Sequence, residues 1–173
     1  MYVLFGVLQA NNLRKDVKLF NKNDFKYVQD NLDKYKKQCE DRDGVSCRIV
    51  SIYYDVTSHY DEELERMSFE WAIKGCNLRD GASCGTVGSY YGNADERTGY
   101  IQKDEKKAFE FFTKSCDYKS GFGCAMLGFH YIRLEREANS KSDKKEYTRK
   151  AKFFFKKGCD YGYKASCSNY RDL

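Results

Sequence analysis

Proline is absent from the whole chain, tryptophan occurs once, and histidine occurs twice, as His59 and His130. The missing proline favours helix over a loop-rich β fold, because nothing interrupts the i→i−4 hydrogen-bond ladder. With so few imidazoles, neither a metal centre nor a cofactor site is expected. No apolar run is long enough to span a bilayer, so no transmembrane segment is expected either. A block of one charge is lacking too: Lys and Arg are interleaved with Asp and Glu, and the net charge is only +5. A nucleic-acid reader shows a denser basic stripe, so nucleic acid is not expected as a partner.

What is present is an aromatic-rich, strongly charged chain. Aromatic residues make up 16 % and charged residues 33 % of 173 positions, and mean hydropathy is −0.80. Disordered chains lack such aromatic content, so an ordered protein with a large wetted surface is implied. The length suits one domain. Met1 to Ala10 are apolar apart from Gln9, and polar residues follow from Asn11. Segment 1–20 therefore reads as the apolar core and cleavage end of a secretory signal without its basic start; a plain N-terminal helix is the alternative.

The eight cysteines set a period. They fall into four pairs, Cys39/Cys47, Cys76/Cys84, Cys116/Cys124 and Cys159/Cys167, each separated by eight residues, and first cysteines follow one another at steps of 37, 40 and 43. A constant inner spacing with a growing outer one marks a repeat whose variable part lies between pairs. Gly44, Gly81 and Gly121 share the column five residues after the first cysteine, and are expected to release one helix through a left-handed residue into the next. The fourth copy has Lys164 there and Gly162 two places earlier, so a differently built turn is expected. Lys37, Lys74, Lys114 and Lys157 stand two residues before each first cysteine, where a cation complements a helix C-terminus. Ser68, Ala108 and Ala151 form a small column eight before the cysteine. Downstream, Val50/Val87/Leu127, Ser51/Gly88/Gly128 and Tyr54/Tyr91/Tyr131 recur at helical offsets and describe one buried face.

The unit is thus helix, tight turn, helix, with the cysteines of each pair facing across the turn. Zinc sites place ligands two to four residues apart and recruit histidine, and neither holds here. Four register-matched pairs point to disulfides Cys39–Cys47, Cys76–Cys84, Cys116–Cys124 and Cys159–Cys167. Each closes a short loop, for which chain-entropy arguments give about 2 to 3 kcal/mol. Disulfides require an oxidising compartment: periplasm, extracellular space or mitochondrial intermembrane space.

The stretches Lys106 to Cys116, Gly123 to Gly128 and Ser83 to Gly92 resemble Sel1-like repeats, and the Cys-x7-Cys pairing resembles the cysteine-rich branch typified by the Helicobacter cysteine-rich proteins. The resemblance covers about residues 24–173. It implies an all-α fold, a right-handed α/α superhelix with a concave face lined by the first helix of each pair, and repeats at about 44–80, 81–120 and 121–162 between capping helices. It also implies a secreted or periplasmic location. Some members of that branch are described as penicillin-binding proteins or weak β-lactamases, and others as adaptors.

Two functions follow as expectations. The first is a monomeric, non-catalytic module that binds a protein, a peptide or a cell-wall glycan. Tyr53, Tyr90 and His130 share the column six after the second cysteine and are the candidate binding strip, with core packing as the plainer role. The second, by resemblance alone, is a β-lactamase. Serine β-lactamases need a Ser-x-x-Lys with Ser-Asp-Asn and Lys-Thr-Gly elements. The only such serine here is Ser142, ahead of Lys145, without the companion elements, so no catalytic residue is assigned.

Overall fold

The computed structural model describes residues 22–58, 61–93 and 101–173. The apolar segment 1–20 and His59 lie outside them. The described residues form nine helices: α1 Lys22–Asp30, α2 Leu32–Glu40, α3 Gly44–Ser58, α4 Glu62–Asn77, α5 Gly81–Asn93, α6 Glu105–Asp117, α7 Gly121–Glu137, α8 Lys141–Asp160 and α9 Lys164–Asp172. The described residues are all-α, and from α2 onward each helix packs against the next, as the repeat pattern requires.

The helix starts after the variable connections are capped by side chains. Asp61 accepts from Leu64 N at 3.0 Å, Asp104 from Lys107 N at 2.9 Å and Ser140 from Asp143 N at 3.0 Å. Glu62, Glu63 and Glu65 add negative charge to the first turn of α4, where the helix dipole favours it. The charged insertion Arg136 to Lys145 is spent mostly on helix, ending α7 and beginning α8.

Helices α2/α3, α4/α5, α6/α7 and α8/α9 are joined by the tight turns, and a disulfide crosses each turn with Cα atoms 4.5 to 4.8 Å apart. The more extensive packing lies elsewhere, across the variable connections, in α3/α4, α5/α6 and α7/α8. The two inner disulfides, Cys76–Cys84 and Cys116–Cys124, therefore clamp the junctions between closely packed pairs, and the outer two fasten α2 and α9 to the ends. Helices α3, α5 and α7 also touch one another in series.

The turns correct two expectations. The left-handed residue is not the shared glycine but the residue three after the first cysteine: Arg42 (φ 72°), Arg79 (φ 64°), Lys119 (φ 61°) and Gly162 (φ 85°). The fourth turn is thus built like the other three. In all four, the residue after the left-handed one donates back across the helix end, from Asp43 to Gln38 O, Asp80 to Gly75 O, Ser120 to Ser115 O and Tyr163 to Gly158 O. This is a Schellman closure. The glycine column serves close approach instead. A Cβ on Gly81 would lie 2.7 Å from Tyr118 O, and one on Gly121 would lie 2.7 Å from Gly158 O. The first residue of α5 or α7 is thus pressed against the next turn along the array. Lys164, in the same column, is exposed.

Complementary sizes hold the stack together. A Cβ on Gly88 would meet the Phe112 ring at 2.8 Å, and one on Gly128 the Phe155 ring at 2.7 Å. In the first copy the glycine is replaced by Ser51, and the residue of α4 that matches Phe112 and Phe155 is Ala72, so volume is conserved at the joint. Ser51 Oγ lies 3.3 Å from Ser68 Oγ there, a buried polar pair. Val50, Val87 and Leu127 are fully buried, as are Ser68 and Ala151.

One core contact has no precedent in the repeat pattern. Arg48 occupies a column held elsewhere by Gly85 and Ala125, is buried, and sits with Nη1 3.6 Å from Asp80 Oδ2. Asp80 also accepts from Ser83 N at 2.8 Å and from Ser83 Oγ at 2.7 Å. The aspartate thereby caps α5 and anchors α3 to the second turn. One repeat later the matching positions are Gly85 and Ser120, which cannot form such a pair, and the space beside Gly85 is taken by Phe122, whose ring a Cβ on Gly85 would meet at 2.9 Å.

Candidate binding face

Tyr53, Tyr90 and His130 occupy equivalent positions on α3, α5 and α7, and each is half-buried. Tyr53 stacks on Phe25 at 5.5 Å, Tyr90 meets Phe69 edge-on at 5.4 Å, and His130 lies 4.7 Å from Phe109. Tyr90 and His130 are thus matched by a ring from the preceding helix of their stapled pairs, and Tyr53 by a ring from α1. The Tyr90 hydroxyl is turned inward and fully buried. Burial, and then the Asp55 carboxylate beside it, push that phenol well above its ordinary value; Ser68 acts in the opposite direction, and the charge of Glu65 adds to the rise.

Asp55 in turn is held above the usual carboxylate range, first by burial and then by the charge of Glu65, while Tyr90 acts in the opposite direction. His130 is shifted the other way from charge: burial, followed by the Arg133 guanidinium, depresses its pKa and favours the neutral ring. Arg133 Nη2 lies 3.5 Å from His130 Nδ1 and bridges Glu105 at 2.8 Å.

The next column is the more regular one. Tyr91 stacks on Phe111 at 5.7 Å and Tyr131 on Phe154 at 5.6 Å, each pair nearly parallel, and Tyr54 packs in the cluster that contains Trp71. Lysines lie over these rings. Lys36 sits 5.6 Å from the Tyr54 centroid, Lys107 5.0 Å from Tyr91 and Lys150 5.5 Å from Tyr131. A second set comes from the column two before the cysteine: Lys74 over Trp71 at 3.9 Å, Lys114 over Phe111 at 4.8 Å and Lys157 over Phe153 at 5.8 Å. Helix-dipole complementarity accounts for part of that column, and a cation–π contact one turn earlier for the rest. The signal was available in the sequence as an aromatic three residues before Lys74 and Lys114 and four before Lys157. Phe69 joins the two columns, lying 5.4 Å from Tyr90 and 5.7 Å from Tyr91. An open groove of about 300 Å³ adjoins them, lined by Phe69, Tyr91, Ile101, Gln102, Lys103 and Lys107 among others.

Ser142 and Lys145 are exposed at the start of α8. Among the described residues no group of three or more His, Cys, Asp or Glu is placed to hold a metal ion, and none of the helices is long and apolar enough to cross a membrane.

An all-helical stack of hairpins with one disulfide at each tight turn is the fold that the resemblance to Sel1-like cysteine-rich repeats implied. Among solved structures, the chain is similar to cysteine rich protein B of Helicobacter pylori, with a TM-score of 0.56 over 83 % of this chain and 95 % of that one, at 23 % sequence identity. No family model and no curated protein matches the sequence.

Proposed function

We propose that the chain is a secreted or periplasmic binding module that presents the side of its helix stack to a protein, a peptide or a cell-wall glycan. The observation that carries this reading is the recurrence of one half-exposed aromatic arrangement on successive hairpins: Tyr53, Tyr90 and His130 in one column, with Tyr91/Phe111 and Tyr131/Phe154 beside it. Solenoids bind through such extended, repeated surfaces. Half-buried tyrosines offer large contact area with little rotamer entropy left to lose. The location rests on the four disulfides, which persist only where thiols are not kept reduced.

The test is crosslinking capture from the native oxidising compartment, using disulfide-intact chain and a Tyr53→Ala/Tyr90→Ala variant with unchanged helical circular dichroism. The captured partner is expected to fall severalfold with the variant. Undiminished capture would remove the strip from consideration.

A further inference from the structure

The lysine column does more than complement helix ends. Lys74, Lys114 and Lys157 stand at one register on three successive parallel helices, α4, α6 and α8. Each ammonium lies over a ring, at 3.9, 4.8 and 5.8 Å, and the rings are Trp71, Phe111 and Phe153. Among the described residues, no carboxylate lies within ion-pair range of any of the three. The other lysines over rings differ in this respect: Lys36 pairs with Asp33 at 3.8 Å, Lys107 with Asp104 at 3.8 Å and Lys150 with Glu146 at 2.6 Å. The nearest competing acid at the last rung, Asp160, is taken by Lys156 at 2.7 Å. Asp117, three residues beyond Lys114, is not bridged to it.

The turn beside each of the first two rungs adds a cation. Arg79 and Lys119 sit there exposed, on left-handed backbone where a small residue is the usual occupant, and the Arg79 guanidinium lies 6.0 Å from the Tyr118 ring centre. Asp80, the acid of the second turn, is buried against Arg48 and contributes little outward field. Glu110 and Asp117 are the exposed acids nearest Lys114 in sequence on its helix, and cations outnumber them along this edge, with one ammonium per hairpin outside any ion pair among the described residues.

Charge and periodicity select the partner. The three ammoniums recur once per hairpin, on α4, α6 and α8, so a chain that follows this edge meets one cation at each hairpin. We infer that Lys74, Lys114 and Lys157, on their supporting rings, form a docking ladder for an extended acidic peptide that presents an Asp or Glu to each hairpin it crosses. A nucleic acid strand, with a phosphate about every 3.4 Å, would leave most of its charge unmatched by single cations one hairpin apart. The rings below hold the ammoniums in place, so less side-chain entropy is lost when a carboxylate arrives. This inference rests on the binding-module reading and names its partner class.

The experiment is fluorescence anisotropy on the full, disulfide-intact chain. The probe is a fluorescein-labelled Ser/Gly peptide of about twelve residues with Glu at every third position. The comparison ligands are the same peptide with Gln for Glu and a short oligothymidylate. Binding of the Glu peptide alone is expected, with a loss of about tenfold in the Lys74→Met/Lys114→Met/Lys157→Met variant and retention in the triple Lys→Arg variant. As a measurement that needs no variant, the Glu peptide should protect these three lysines from acetylation more than the exposed Lys34 and Lys141. Equal affinity for the Gln peptide, tighter binding of the oligothymidylate, an unaffected Lys→Met variant or uniform acetylation would each overturn the ladder. The binding-module reading would then still stand or fall on the Tyr53/Tyr90 capture.

Discussion

Gly121→Ala is the sharpest test of how the stack is held. The added Cβ would come within 2.7 Å of Gly158 O, 2.7 Å of Tyr163 Cβ and 3.0 Å of Tyr163 N. Two of these three neighbours are backbone atoms inside a turn clamped by Cys159–Cys167, so no flexible side-chain end can swing aside. Overpacking of this kind costs about 1 to 3 kcal/mol. Gly121 is the first residue of α7, so the gain of about 1 kcal/mol that alanine brings to a helix interior is not fully available there. Gly92→Ala is the matched control. Its Cβ would rest 3.6 Å from Ala108 Cβ, an ordinary contact, late in α5. The two variants should therefore differ by about 2 to 3 kcal/mol, which for a chain of this size is about 5 to 10 °C in Tm. Thermal unfolding followed by circular dichroism under non-reducing conditions reads this directly. A Gly121→Ala protein as stable as the wild type, or less perturbed than Gly92→Ala, would refute the close-approach account of the glycine column.

Two further outcomes follow from burial. Cys159 and Cys167 are half-buried while the other six cysteines are almost wholly enclosed, so graded reduction with quenching by alkylation should label Cys159 and Cys167 first in mass spectrometry. Asp55 has a folded-state pKa raised by burial and by Glu65, so its charged form opposes folding at neutral pH, and that cost disappears as pH falls through the raised value. Asp55→Asn should accordingly be more stable than wild type near neutral pH, with the advantage shrinking on acidification; a stability difference that stays constant with pH in urea titrations would show that Asp55 carries no such cost.

The cysteine register, the small column at Ser68, Ala108 and Ala151, and the tyrosines at Tyr54, Tyr91 and Tyr131 were legible because periodicity alone reveals a column that every hairpin uses in the same way. Gly81 and Gly121 were legible as required glycines but not for the right reason. A sequence shows that a Cβ is missing, and only neighbouring atoms such as Tyr118 O and Gly158 O show why. The left-handed position escaped notice because Arg42, Arg79 and Lys119 occupy it at some cost in strain, which the Schellman bonds and the disulfide outweigh. Arg48 with Asp80 was out of reach for another reason. It happens once, between residues of different repeats, and leaves no periodic trace. The rings under Lys74 and Lys114 stand three residues upstream and that under Lys157 four, a pattern hidden behind the helix dipole, which by itself accounts for a lysine at each of these positions.

Because each clasp fixes the geometry from one turn to the next, the growth of the period from 37 to 43 residues is taken up entirely at the opposite rim. The molecule has one invariant edge and one adjustable edge. Lengthening or shortening the chain around Ala138 changes how far a hairpin protrudes, while the pitch of the array stays the same.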